Sequence, residues 1–241
     1  MTANENEGKH EPLRVLLFAA HPDDEVIGVG GALRRLADAG ARIRTVLFSA
    51  GAEGYTRLED KERITDIRAQ EYAQVCEVLG VQERHSLGLL DWSLAVSNET
   101  YRAVIGHIRD FRPDVVFTHS RADYADHRAV HDVVTEGWYH AAIPCALDQG
   151  EPWKQVPLYE FEVLQAMPEP SHVLDITDTY AAKVQAMRCY DSQHDVVGGI
   201  FQMMEGRALE RGYFVGRKYG EAFRRSLYRP QLVTGPREWL E

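Results

Sequence analysis

No apolar run in this sequence is long enough to cross a bilayer. The longest, residues 15–20, falls far short of the roughly 20 residues a spanning helix needs. The N-terminus is polar and mixed in charge and lacks the apolar core of a secretion signal. A cytosolic protein that does not bind membranes is therefore expected. Cysteine is scarce as well. Cys76, Cys145 and Cys189 lie far apart and form no CxxC pair. That excludes a disulfide framework and suits ordinary buried thiols in a reducing compartment. Basic residues are outnumbered, 27 against 37 acidic, for a formal net charge of −10. Such a surface repels phosphate backbones, so no nucleic-acid partner is expected. Two catalytic signatures are also missing. Gly28, Gly30 and Gly31 do not have the GxGxxG spacing of a dinucleotide loop, and carboxylates in the preceding turn would repel a pyrophosphate. Close packing of a helix on a sheet explains these glycines better. Neither Ser49 nor Ser120 sits in a GxSxG elbow, which argues against a serine hydrolase.

What is present reads as alternating strands and helices. Residues 14–20 form a continuous apolar run, as a central parallel strand buried on both faces requires. A helix is predicted over 26–39 and stopped by Gly40, followed by a strand over 42–49 and a glycine-containing loop at 51–55. Further helices are predicted over 60–79, 99–110, 127–139 and 178–190, the last capped by Thr177 or Asp178. Strands are predicted over 84–87, 113–119 and 161–166. Residues 198–241 show no clear layout. The pattern implies an α/β, Rossmann-like, doubly wound and mostly parallel sheet with helices on both faces and a C-terminal elaboration. Residues 1–12 read as a disordered lead-in and 13–241 as one domain.

Two polar clusters follow predicted strands, where open α/β sheets bind ligands. The first is HPDDE at 21–25, after the first strand; the second is HSRADYADH at 119–127, after the strand that begins PDVVF. Stacked carboxylates beside a buried strand are costly unless something positive lies near them. A divalent cation would supply that charge. His21 and Asp24, three apart, can face one ion if the turn opens a helix. With His127 they make a His₂-carboxylate set that leaves a coordination position open, as catalytic zinc sites require. The plainer alternatives are that Asp23 and Asp24 cap the helix and that His127 is a helix-start histidine. Trp92, Trp138, Trp153 and Tyr159 either line a sugar cleft or belong to the core or an interface.

These motifs closely resemble the PIG-L/LmbE-like family of GlcNAc-phosphatidylinositol de-N-acetylases. Its bacterial relatives act on GlcNAc-inositol, GlcNAc-malate, chitobiose and antibiotic intermediates. The likeness rests on AHPDDE at 20–25 and DHRAV at 126–130. It continues through IRAQE at 67–71, LG at 79–80, LGLLD at 87–91, DIT at 175–177, Lys183, Ser192-Gln193 and YGEAF at 219–223. The resemblance implies a zinc-dependent N-deacetylase of N-acetylglucosamine-type sugars. It implies His21, Asp24 and His127 as metal ligands, Asp23 as general base, Arg68 as a substrate-binding arginine, and Asp126 as a carboxylate orienting a ligand histidine. Many relatives read His-Pro-Asp-His in the second motif, where the first histidine stabilises the oxyanion. Tyr124 stands in that place here, so the donor is Tyr124 or, from the C-terminal region, His194; His119 is a further candidate that otherwise packs at a strand end.

The expected reaction is attack by a metal-bound water on the acetyl carbonyl, with Asp23 taking its proton. Fe(II) or manganese would suit the same ligands. Two other readings stay open: an amidase cleaving a different acyl group from a thiol conjugate or antibiotic intermediate, and a non-catalytic metal-binding module. Arg68 reads equally well as a surface arginine paired with Glu71 or Asp66. Sequence leaves the aglycone and any homo-oligomeric state open.

Overall fold

The computed structural model describes residues 11–229. The expected lead-in, apart from its last two residues, and the C-terminal residues 230–241 lie outside the described residues. Among the described residues seven strands form one sheet in the order β3-β2-β1-β4-β5-β7-β6. Strands β1 (Arg14–Ala19), β2 (Arg42–Ser49), β3 (Glu83–Leu89), β4 (Val115–His119) and β5 (Leu158–Phe161) run parallel. The last two, β6 (His172–Asp175) and β7 (Gly220–Arg225), are antiparallel additions at one end.

Alternation along β1 divides the core in two. Val15, Leu17 and Ala19 face one cluster, and Leu16, Phe18 and Ala20 face the other; all six are fully buried. The first face is covered by α1 (Asp24–Asp38), α2 (Ile64–Leu79), α5 (Tyr180–Cys189) and α6 (Ile200–Phe214). The second is covered by α3 (Asn98–Phe111) and α4 (Ala125–Ala141). Burying each large apolar side chain contributes about 1.5–3 kcal/mol, so this double-sided strand anchors the fold. Helix α1 lies close on its neighbours because its glycines allow it. A Cβ on Gly28 would come within 2.4 Å of the Phe161 ring, and one on Gly31 within 2.8 Å of Ile176.

Chain order and spatial order reverse between β1 and β4, which pair directly at Val15↔Val115. The carboxyl ends of these two strands carry the two polar clusters, so the topology itself brings them together. Among the described residues no helix is long and apolar enough to cross a membrane.

Several elements differ from the sequence reading. The strand expected over 161–166 is β5, which ends at Phe161. Beyond it Glu162 turns inward to meet Arg211 at 2.7 Å, and the chain leaves the sheet. Helix α6 and strands β6 and β7 have no counterpart in the sequence reading: β6 has only four residues, and β7 carries Glu221, Arg224 and Arg225, which break its apolar pattern. The cap of α5 is Thr179, not Thr177 or Asp178, and it caps nothing with its side chain. Its hydroxyl donates instead to Gly31 O at 2.8 Å, tying α5 to α1.

Candidate metal centre and active site

The turn after β1 is tight and strained. Asp23 has φ 114°, in the left-handed region that non-glycine residues avoid at a cost of about 1–3 kcal/mol. Neighbouring groups hold it there. Its N–H donates to Glu25 Oε2 at 3.0 Å, and its carbonyl accepts the Val26 and Ile27 N–H groups, each at 2.9 Å. Burial pushes the Glu25 carboxyl up to about 8, against the hydrogen bond it receives from the Tyr190 hydroxyl. Arg68, on α2, reaches across with one nitrogen to Pro22 O and Asp23 Oδ2, the latter at 3.2 Å, and with another to Gly51 O at 3.2 Å.

The turn after β4 is brought to meet it. His21, Asp24 and His127 each offer one ligand atom, all within 4.8 Å of one another, and all three residues are buried. His21 Nδ1 lies 3.5 Å from Asp24 Oδ2, and His127 Nε2 lies 3.2 Å from Asp24 Oδ1. The second nitrogen of each ring meets a carboxylate: His21 Nε2 is 3.1 Å from Asp126, and His127 Nδ1 is 3.4 Å from Asp123. Carboxylates behind both imidazoles fix their orientation and raise their basicity, as metal-binding histidines require.

Electrostatics tell the same story. Burial opposes charge on His21, but Asp126 and Asp24 outweigh it and hold the imidazole up at about 10. Burial is outweighed likewise at His127, held near 9 by Asp24 and Asp123. Burial would raise Asp24, yet the neighbouring His127 and His119 bring it well below the usual carboxylate range. Asp23 goes the other way: burial lifts it to about 6 against the pull of Arg68. The cluster demands positive charge. The His127 Nε2 atom is buried and makes no aligned hydrogen bond, although it points to within 3.2 Å of a carboxylate oxygen. Two imidazole nitrogens, one of them without an aligned hydrogen bond, and one carboxylate fit a divalent cation.

The cavity above this set holds about 180 Å³ and is lined by His21, Asp23, Asp24, Arg68, Tyr124 and His127 among others. The Tyr124 hydroxyl stands 3.1 Å from His21 Nδ1. Burial, then Asp24 and Asp23, raise its pKa, so it keeps its proton. His194 is not brought to the site. Its Nε2 lies 3.1 Å from Met187 O and its ring meets Phe201, on another surface groove. His119 is fully buried behind the metal set, accepts the Ala20 N–H at 2.9 Å and stacks on His127. Arg68 is no surface residue: it is 3% exposed, and Glu71 pairs with Ser192 instead.

Two supporting residues had been given no role. Asp123 lies four residues before His127, just ahead of the Tyr124 cap of α4, and its carboxylate meets the His127 ring. Asp91 binds the Ser49 hydroxyl and accepts the Glu53 N–H at 2.7 Å, fixing the 51–55 loop beside the cavity.

With this geometry in place the relatives agree. The family described as GlcNAc-PI de-N-acetylase matches residues 16–138, just over half the chain. The chain belongs to that family. It is 27% identical over 230 residues to the diacetylchitobiose deacetylase of Thermococcus kodakarensis, covering 91% of this chain and 85% of the relative. It is also 27% identical to a 1D-myo-inositol 2-acetamido-2-deoxy-alpha-D-glucopyranoside deacetylase of Frankia casuarinae, covering 86% and 88% of the two chains. The crystal structure of N,N'-diacetylchitobiose deacetylase from Pyrococcus horikoshii superposes with a TM-score of 0.82 at 27% identity, over 93% of this chain and 87% of that one.

Proposed function

We propose that this chain is a metal-dependent hydrolase that removes the acetyl group from the nitrogen of an N-acetylglucosamine-type glycoside. The convergence of buried His21, Asp24 and His127 within 4.8 Å, beside Asp23, carries the reading. The two relatives named above, which deacetylate amino sugars with different aglycones, support the substrate class. His21, Asp24 and His127 would hold the ion, and zinc is the first choice for two imidazoles and a carboxylate. A bound ion supplies Lewis acidity and brings the pKa of water toward about 7.

The side chains then divide the labour. Asp23, held at about 6, sits where it can take a proton near neutral pH and return it to the leaving amine. Arg68 keeps that carboxylate in place; both of its terminal nitrogens are committed to the turn and the neighbouring loop, so its role is positioning rather than charge recognition. Tyr124 retains its proton and donates to the acetyl oxygen as negative charge develops there. Asp126 and Asp123 orient His21 and His127. The three free thiols support a cytosolic setting.

The test combines metal analysis with amine release from a panel of N-acetylglucosaminides. One divalent ion per chain and release from at least one glycoside are expected. A loaded protein inert to every acetamide would mark a binding module. Release from an acylated thiol conjugate alone would mark the other amidase reading.

A further inference from the structure

The three tryptophans among the described residues divide sharply. Trp138 is buried and its indole donates to Val156 O at 3.0 Å. Trp153 donates to Pro113 O at 2.7 Å and lies under basic side chains. Trp92 does neither. It is 76% exposed, it lines the cavity, and among the described residues no ring or cation packs on it. Nothing among the described residues uses this indole, so its surroundings must say what it is for.

Its backbone has φ 60°, a left-handed conformation that a bulky side chain ordinarily avoids. The Trp92 N–H donates to Asp126 Oδ2 at 2.8 Å, the same oxygen that lies 3.1 Å from His21 Nε2. The carboxylate that orients a metal-binding histidine thus also holds the indole at the cavity mouth. Strain kept in place by a site's own support is the pattern of a functional position. Other apolar groups line the same cavity, including Val163, Leu164 and Val196, the last two 44% and 42% exposed. The charged residues there are mostly carboxylates. Arg68 is the one arginine or lysine among the described lining residues, and its terminal nitrogens are already bonded.

We propose that Trp92 is the specificity-determining residue of this site, the platform on which an uncharged sugar ring attached to the acetylated amino sugar stacks. The inference rests on the deacetylase reading above. The acetamido ring enters the polar floor. The next ring lays its C–H face on the indole, which supplies large apolar area at little conformational cost. An anionic aglycone would instead meet carboxylates with no free cation to receive it.

The test compares N-acetylglucosamine, N,N'-diacetylchitobiose and N-acetylglucosamine 1-phosphate as substrates of the metal-loaded protein. The disaccharide should have the highest kcat/KM and the phosphate the lowest. Trp92→Ala should raise KM for the disaccharide about tenfold, with kcat within about twofold, and collapse its preference over the monosaccharide. Trp92→Phe should restore most of that preference. Titrating the disaccharide into metal-stripped protein should shift tryptophan emission to the blue, and Trp92→Phe should remove the shift. A Trp92→Ala protein that keeps the disaccharide preference within twofold overturns this inference alone. So does an equal fall on all three substrates accompanied by lost metal, since the residue would then act only through Asp126. A wild-type protein that releases amine from none of the three overturns the deacetylase reading together with this one.

Discussion

The parallel part of the sheet and its antiparallel end divide the work unequally. Every candidate ligand of the metal set follows a parallel strand: His21 and Asp24 follow β1, and His127 follows β4. The antiparallel end and its helices contribute none, yet they brace the helix that begins at Asp24. Lys183 on α5 meets Glu221 on β7 at 2.6 Å, and its ammonium also donates to Ile27 O at 2.8 Å. Glu221 accepts the Gly31 and Ala32 N–H groups at 2.9 and 2.8 Å. The ion pair therefore grips α1 at backbone groups in mid-helix. Tyr190, at the end of α5, holds Glu25. On the proposed function one region does chemistry and the other holds its geometry, so damage to each should read out differently.

The sharpest version of that difference lies at the ligands. His127→Ala should bind no stoichiometric metal and lose turnover to background, while unfolding cooperatively like the wild type. Metal content by mass spectrometry and a thermal melt check both halves of the statement. Next comes Asp23→Asn, which should lower kcat by about 10²–10⁴ and retain the ion, because it removes a proton acceptor and leaves the three ligands in place. Retained turnover in that variant would move the base to another group.

The antiparallel end should break in the other currency. Lys183→Met leaves the Glu221 carboxylate buried without its partner, with both side chains of the pair at 4% exposure or less. Removing one member of such a pair costs about 3–5 kcal/mol. A lowered denaturation midpoint is expected, with kcat for the protein that remains folded within a few-fold of wild type. A variant that melted normally and lost its turnover would place catalysis, not support, in this region.

The same division decides how much the sequence tells. HPDD and DH are local motifs at the ends of two apolar strands, so their chemistry is legible in the sequence, while the pairing of β1 with β4 that brings them together comes from the structure. The mostly parallel sheet with helices on both faces that the sequence implies is the one observed. Support is legible only where a motif carries it. The resemblance supplies Asp126, although the imidazole it orients, that of His21, lies 105 residues away; Asp123 sits four residues before His127 with no motif to flag it. The contacts of Arg68 with Pro22 and Asp23 cross 46 and 45 residues, and the grip of Glu221 on Gly31 crosses 190. No periodicity encodes such pairs. Strands β6 and β7 escape for a related reason: β7 carries charged residues that are satisfied by partners distant in sequence, as Glu160 satisfies Arg224.

His194 gives the least effect and the most direct probe of whether the C-terminal third is chemically silent. It follows Ser192-Gln193, where a histidine donor to the oxyanion was an open expectation from sequence. Gln193 does face the cavity and donates to Gly54 O at 2.8 Å, whereas the neighbouring imidazole turns toward Met187 O and Phe201. A short 3₁₀ turn over Asp191–Gln193 sets this divergence, because successive side chains there point about 120° apart. His194→Ala should therefore change kcat/KM by less than about threefold, well below the roughly 10² expected for loss of an oxyanion donor. Tyr124→Phe, assayed beside it, should show the larger loss. If the two variants exchanged places, the antiparallel end would be part of the chemistry, and the 191–194 turn would have to rearrange when substrate binds.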